Sequence, residues 1–211
     1  MSDGNEAHPA IDLSASLNQL FHDAVERTVR DEHFEATDAA SAYLVGLLAD
    51  FATRSPAEAA LHKPITLSFV EALDSGGPER FERLRVLGDQ VLYLNGFFAG
   101  YLAARGVAPS YVNALGARAY SAAGRMLKHY AFASGSEGLK APDLFSELAD
   151  NFRMFVDLLS HVADRLHANA AHTPAGMVKL YERWLRTGSV PLAGALAARG
   201  ILPKRSDGTV H

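Results

Sequence analysis

Residues 79–104 read ERFERLRVLGDQVLYLNGFFAGYLAA, and the reading of this stretch decides the fold. At about 100° per residue, Leu84, Leu87, Val91, Leu94, Phe98 and Leu102 fall on one stripe. Val86, Phe97 and Tyr101 lie on one flank of it, and Leu92 and Ala99 on the other. A helix that is apolar nearly all round belongs inside a protein rather than on its surface. The spacing therefore predicts a buried central helix over 79–104. It does not predict a membrane span. Asp89 interrupts the apolar run, and the uncharged remainder, Gln90 to Ala104, falls short of the roughly 20 residues a spanning helix needs.

Two features of this helix run against its burial. Asp89, Gln90 and Asn95 are costly inside a core unless they find partners. Gly88, Gly96 and Gly100 each sacrifice about 0.5–1 kcal/mol of helix propensity relative to Ala. Gly96 and Gly100 share a side with Asp89 and Tyr93. Two explanations remain open. Small residues let neighbouring helices approach closely, with Asp89 meeting an Arg or a helix N-terminus. Alternatively Gly96 and Gly100 floor a smooth wall for a flat or elongated apolar ligand, and Asp89, Tyr93 and Asn95 supply its polar contacts.

Working outward, helical periodicity continues through nearly the whole chain. A helix over 14–34 carries Leu17, Leu20, Phe21, Ala24, Val25 and Val29 on one face. Thr37 or Asp38 caps a second over 38–53. Ser55-Pro56 is a further helix start. A helix over 65–73 ends at Ser75-Gly76-Gly77-Pro78. After the central helix come helices over 110–133 and 142–168, a helix opened by Thr173-Pro174 and ended by Gly188, and a short one opened by Ser189-Val190-Pro191. The expectation is an all-α, single-domain bundle of seven to nine helices around the buried central one. Residues 1–11 are expected to be disordered, 12–203 to form the domain, and 204–211 to be a loose tail.

Leu87-Gly88-Asp89, set in a glycine-bearing central helix, is similar to the distal-helix motif of heme oxygenases. That resemblance implies an all-α protein of similar length with a histidine on an N-terminal helix as heme ligand, a part open to His22 or His33. The glycine pair that follows in the family motif is replaced here by Gln90-Val91-Leu92-Tyr93.

Composition excludes more than it specifies. The 211 residues are 48% hydrophobic and 21% charged, as in an ordinary globular protein, and long enough to bury a sizeable core. A formal net charge of −4 creates no field that recruits nucleic acid or anionic membrane. Arg118, Arg125 and Lys128 do not make helix 110–133 a recognition helix. Residues 1–50 hold no Lys and more Asp and Glu than Arg, unlike a basic N-terminal DNA-binding unit. Cysteine is absent, which removes thiolate chemistry and the common structural zinc sites. The polar, acidic N-terminus carries no secretory signal pattern, so a cytoplasmic location is the expectation.

The remaining chemistry-bearing residues are histidines and carboxylates. His22 and Glu26, one helical turn apart, are the candidate metal pair, with further ligands required from other helices. Asp150, Asp157, His161 and Asp164 form a second stripe, opposite Leu148, Phe152, Phe155, Leu159, Val162 and Leu166, and are expected to face solvent. No Glu-x-x-His pair, His-Glu-x-x-His, Gly-x-Ser-x-Gly or P-loop occurs. Tyr181 and the single Trp, Trp184, either pack inward on a capping helix or mark a partner or homodimer surface. The leading expectation is a non-enzymatic protein that binds a small apolar or flat molecule, or a protein partner, against the central helix. No cofactor is specified. A heme-oxygenase-like, cofactor- or metal-dependent enzyme and a scaffold protein without a pocket are the alternatives.

Overall fold

The computed structural model describes residues 9–53, 63–98, 107–133, 141–170 and 173–203. Among them are nine helices and no strand. In chain order these are α1 (Pro9–Asp31), α2 (Asp38–Thr53), α3 (Ile65–Asp74), α4 (Gly77–Phe97), α5 (Pro109–Ala133), α6 (Ala141–Asp150), α7 (Phe152–Ala170), α8 (Pro174–Thr187) and α9 (Val190–Ala197). None of the described helices is long and apolar enough to cross a membrane.

Local chemistry sets most of the boundaries. His33 closes the end of α1 in the left-handed region at φ 58°, a conformation that His tolerates better than bulky or β-branched residues. Thr37 caps α2, its Oγ1 accepting from the Ala40 N–H at 3.2 Å. The same Thr37 donates through its N–H and its Oγ1 to Glu147 at 3.0 and 2.6 Å, which ties the start of α2 to α6. Gly77, at φ 54°, makes the turn from α3 into α4, and Pro78 sits in the first turn where its missing N–H is harmless. Thr173 caps α8 by accepting from the Gly176 N–H at 3.1 Å, and Gly188 at φ 68° ends it.

Helix α4 lies at the centre. It packs against α5 and α7, with α2 and α3 on its remaining sides, while α1 rests on α2 and α7. Leu84, Leu87, Val91, Leu92 and Leu94 of α4 are buried, as the stripe and its flank require. Leu44 and Leu48 of α2, Tyr120 of α5, and Phe155 and Leu159 of α7 complete the main core around them. A smaller core of Leu180, Trp184, Leu192 and Leu196 forms where α8 and α9 meet.

Three boundaries differ from expectation. Helix α1 begins at Pro9, inside the stretch read as disordered. The central helix ends at Phe97, because Phe98 leaves helical geometry at φ −109°, ψ 49°. Phe98, placed by the wheel on the buried stripe, is accordingly 39% exposed. The span read as one helix over 142–168 is two, interrupted at the exposed Asn151. Asn side chains compete with the backbone for hydrogen bonds, which makes such a residue a natural interruption. Bonds from Asn151 N–H to the Glu147 carbonyl and from Phe155 N–H to the Asn151 carbonyl still bridge the junction. The helix start at Ser55-Pro56, together with Gly100 and Leu102, lies outside the described residues.

Candidate functional site

The polar anomaly of the central helix resolves into a network. Asp89 is 7% exposed. Its Oδ1 accepts from the Tyr43 hydroxyl of α2 at 2.6 Å and from the Tyr120 hydroxyl of α5 at 2.7 Å. Its Oδ2 accepts from Arg85 Nη1 at 2.6 Å, one turn back on α4. Arg85 turns its other edge to Glu82, donating from Nε at 2.9 Å and from Nη2 at 2.5 Å. Two carboxylates of one helix thus clamp one guanidinium between them, and two phenols from neighbouring helices close on the inner carboxylate. The rings of Phe145 and Phe152 wall the phenols in, Phe145 lying edge-on to Tyr43 at 5.8 Å.

The electrostatics follow from burial. Desolvation pushes the Asp89 carboxyl up from the ordinary carboxylate value, against the pull of the two phenols and of Arg85. Desolvation, and then the charge of Asp89, drive Tyr43 and Tyr120 well above the usual phenol value. Both phenols therefore remain protonated donors. Glu82 is held below its usual range by its hydrogen bond to Arg85. A carboxylate has about four acceptor positions, and three of Asp89's are occupied. What this arrangement does is hold α2, α4 and α5 in register.

The other sequence candidates on α4 are also engaged. Tyr93 is buried and stacked between Phe51 at 4.3 Å and Phe97 at 5.4 Å. Asn95 Nδ2 donates to Asn113 Oδ1 of α5 at 2.5 Å. Gly96 faces α7 so closely that an added Cβ would lie 2.6 Å from Leu159 Cβ. The Gly96 face is therefore filled by protein, and a helix contact with α7 stands where a ligand wall was the alternative. Gly100 lies outside the described residues. Gly88 is pressed under the Tyr120 ring, an added Cβ lying 2.6 Å from its carbons.

The candidates on other helices separate likewise. The His22 side chain is 60% exposed beside Asp23, and Glu26 is exposed. No group of three His, Asp or Glu among the described residues is arranged to hold a metal ion. His33 is exposed at the end of α1. With Tyr120 covering Gly88 and neither histidine turned inward, the described residues around Leu87-Gly88-Asp89 do not fit a heme. Trp184 is 7% exposed and packs in the α8–α9 core, with the Tyr181 ring against it at 5.7 Å, so Trp184 faces inward.

One polar stripe needs correction. Asp164, expected to face water with Asp150, Asp157 and His161, is 2% exposed and paired with the buried Arg183 of α8. Helix α7 packs on the main core with its apolar stripe, and α8 covers its other side. Arg183 Nη1 also reaches the Phe97 carbonyl at 3.4 Å, linking α8 to the end of α4.

What sequence reading missed are two open grooves along the sides of α4. One, of about 250 Å³, runs between α3 and α4 and is lined by Ser68, Glu71, Glu82, Arg83, Val86, Leu87 and Gln90. The other, of about 290 Å³, is shared by α3, α4 and α5; Leu73, Ala122 and Met126 form its apolar part, and Arg80, Arg125, His129 and Tyr130 its polar part. Grooves of this kind are products of helix packing and carry no motif. The one available signal was Arg125 on a helix otherwise rich in Ala and Gly.

Fold and site together define an all-α bundle whose central helix is pinned by a buried Tyr–Asp–Tyr–Arg network and flanked by grooves open to solvent. Compared with protein-family models, with curated proteins and with solved structures, the chain matches none.

Proposed function

We propose that this chain is a non-enzymatic cytoplasmic protein that binds a small, partly apolar molecule beside its central helix. The observation that supports this reading is the groove of about 290 Å³ between α3, α4 and α5, which combines Leu73 and Met126 with Arg80 and Arg125. Concave sites that join apolar walls to a few polar groups are the usual form of a small-molecule site, and this volume is near their lower end of about 300 Å³. This groove lies on the flank of α4 and not on its Gly96 face, which α7 fills. The acid–base groups of the buried network are engaged with one another, which suits a framework rather than a catalytic centre.

Native mass spectrometry of the protein purified from its own host tests this reading. The expected result is a stoichiometric mass excess that disappears on denaturation. A ligand-free spectrum, with no thermal stabilisation by any member of a small-molecule panel, overturns it.

A further inference from the structure

We propose that the groove between α3, α4 and α5 takes a small organic anion with a short apolar stem, its carboxylate held by Arg125 and Arg80 and its stem lying along Leu73, Ala122 and Met126. This rests on the binding function proposed above and adds the ligand's chemistry to it.

The two grooves beside α4 differ in what their charges are doing. In the smaller one they are already neutralised: Glu71 pairs with Lys63, Arg83 with Glu79, and Glu82 with Arg85. Among the described residues, none that lines the larger groove is acidic. No carboxylate among the described residues pairs with Arg80 or Arg125. Arg125 donates from Nη1 to Ser121 Oγ at 2.7 Å and is otherwise exposed. Arg80 is half-buried, with its Nε enclosed and without an acceptor. Within a chain of formal charge −4, two guanidinium groups on one concavity thus have no carboxylate partner among the described residues. His129 and Tyr130 line the same groove.

A guanidinium offers a planar fork of donors that matches a carboxylate in bidentate geometry. Concave, low-dielectric walls raise the local concentration of an oppositely charged ligand. The apolar part of the same groove selects against a bare inorganic ion. Met126 contributes an adaptable thioether that fits an alkyl stem without demanding one shape.

Met126 is one of four Met, so methyl-labelled methionine in the full chain gives a direct reporter, assigned with Met126→Leu. Octanoate is the probe, with 1-octanol and inorganic phosphate as its uncharged and non-apolar counterparts. A saturable shift of the Met126 methyl by octanoate is expected, weakened about tenfold in Arg125→Gln and partly restored in Arg125→Lys. Arg125 is exposed, so these variants leave the core intact. If 1-octanol binds as tightly as octanoate, and Arg125→Gln binds both like the parent, the role of the arginines is overturned while binding in the groove stands. If phosphate alone matches octanoate, the role of the apolar stem is overturned. If no probe moves Met126, this proposal and the groove reading both fail.

Discussion

At the scale of single residues, Asp89 is where stability is most exposed to change. Replacing it with Ala leaves the Tyr43 and Tyr120 hydroxyls without an acceptor and Arg85 with one carboxylate instead of two. We expect Asp89→Ala to lose about 3 kcal/mol in urea unfolding, and Tyr120→Phe about 1.5 kcal/mol. A loss within about 0.5 kcal/mol for Asp89→Ala would show that the network does not hold the helices. The same phenols set an alkaline limit. Burial and the charge of Asp89 raise both, so the fold keeps their protons after an unfolded chain would release them. The stability tied to them is complete below about pH 10 and is lost as pH rises further. In a tyrosinate absorbance titration, Tyr43 and Tyr120 should ionise last, together with unfolding. Ionisation of all tyrosines near pH 10 in the still-helical protein would contradict this. The need for a partner to Asp89 was legible in the sequence. The identity of the phenols was not, because Tyr43 and Tyr120 lie far from Asp89 along the chain and only packing brings them together.

At the scale of elements, the glycines of α4 report how closely its neighbours approach. Ala is intrinsically the better helix former, but at Gly96 its Cβ would meet Leu159 Cβ at 2.6 Å and the Val156 carbonyl at 3.1 Å. Neither a Cβ nor a backbone oxygen can move without shifting α7. Gly96→Ala is therefore expected to cost about 2 kcal/mol. Gly46, on the exposed face of α2, has nothing within 4 Å of an added Cβ. Gly46→Ala should add about 0.5–1 kcal/mol. Denaturant midpoints of the two variants moving in the same direction would rule out the close α4–α7 contact. Helix identity and most starts were legible, because periodicity and caps such as Thr37, Thr173 and Gly188 act locally. The end of α4 was not: residues beyond Phe97 continue the apolar pattern, while the backbone turns away at Phe98.

At the scale of the whole molecule, α8 and α9 are attached through α7 around their own small core. The buried pair Asp164–Arg183 links α8 to α7, and Arg199, just after α9, donates to the Ala168 carbonyl of α7 at 3.0 Å. Removing one partner of such a pair leaves an uncompensated buried charge, so Arg183→Ala should weaken this attachment by about 4 kcal/mol. Trp184 is the only Trp and sits in that core, so its fluorescence follows α8–α9 while circular dichroism follows all the helices. In Arg183→Ala the fluorescence transition should precede the loss of helix in urea. Coincident transitions would show that α8–α9 unfold only with the rest.

The amino-acid sequence by itself determined the all-α class, the buried stripe of the central helix from Leu84 to Leu94, the caps at Thr37, Thr173 and Gly188, and the absence of cysteine chemistry. These depend on local periodicity and on which atoms are present. Only the tertiary structure decided that Gly96 meets a helix, that Asp164 is buried, and that one of the grooves beside α4 lies at Arg80 and Arg125. Each of those depends on which second helix covers a given face, and a helical wheel shows that a face is apolar or polar without showing what is laid against it.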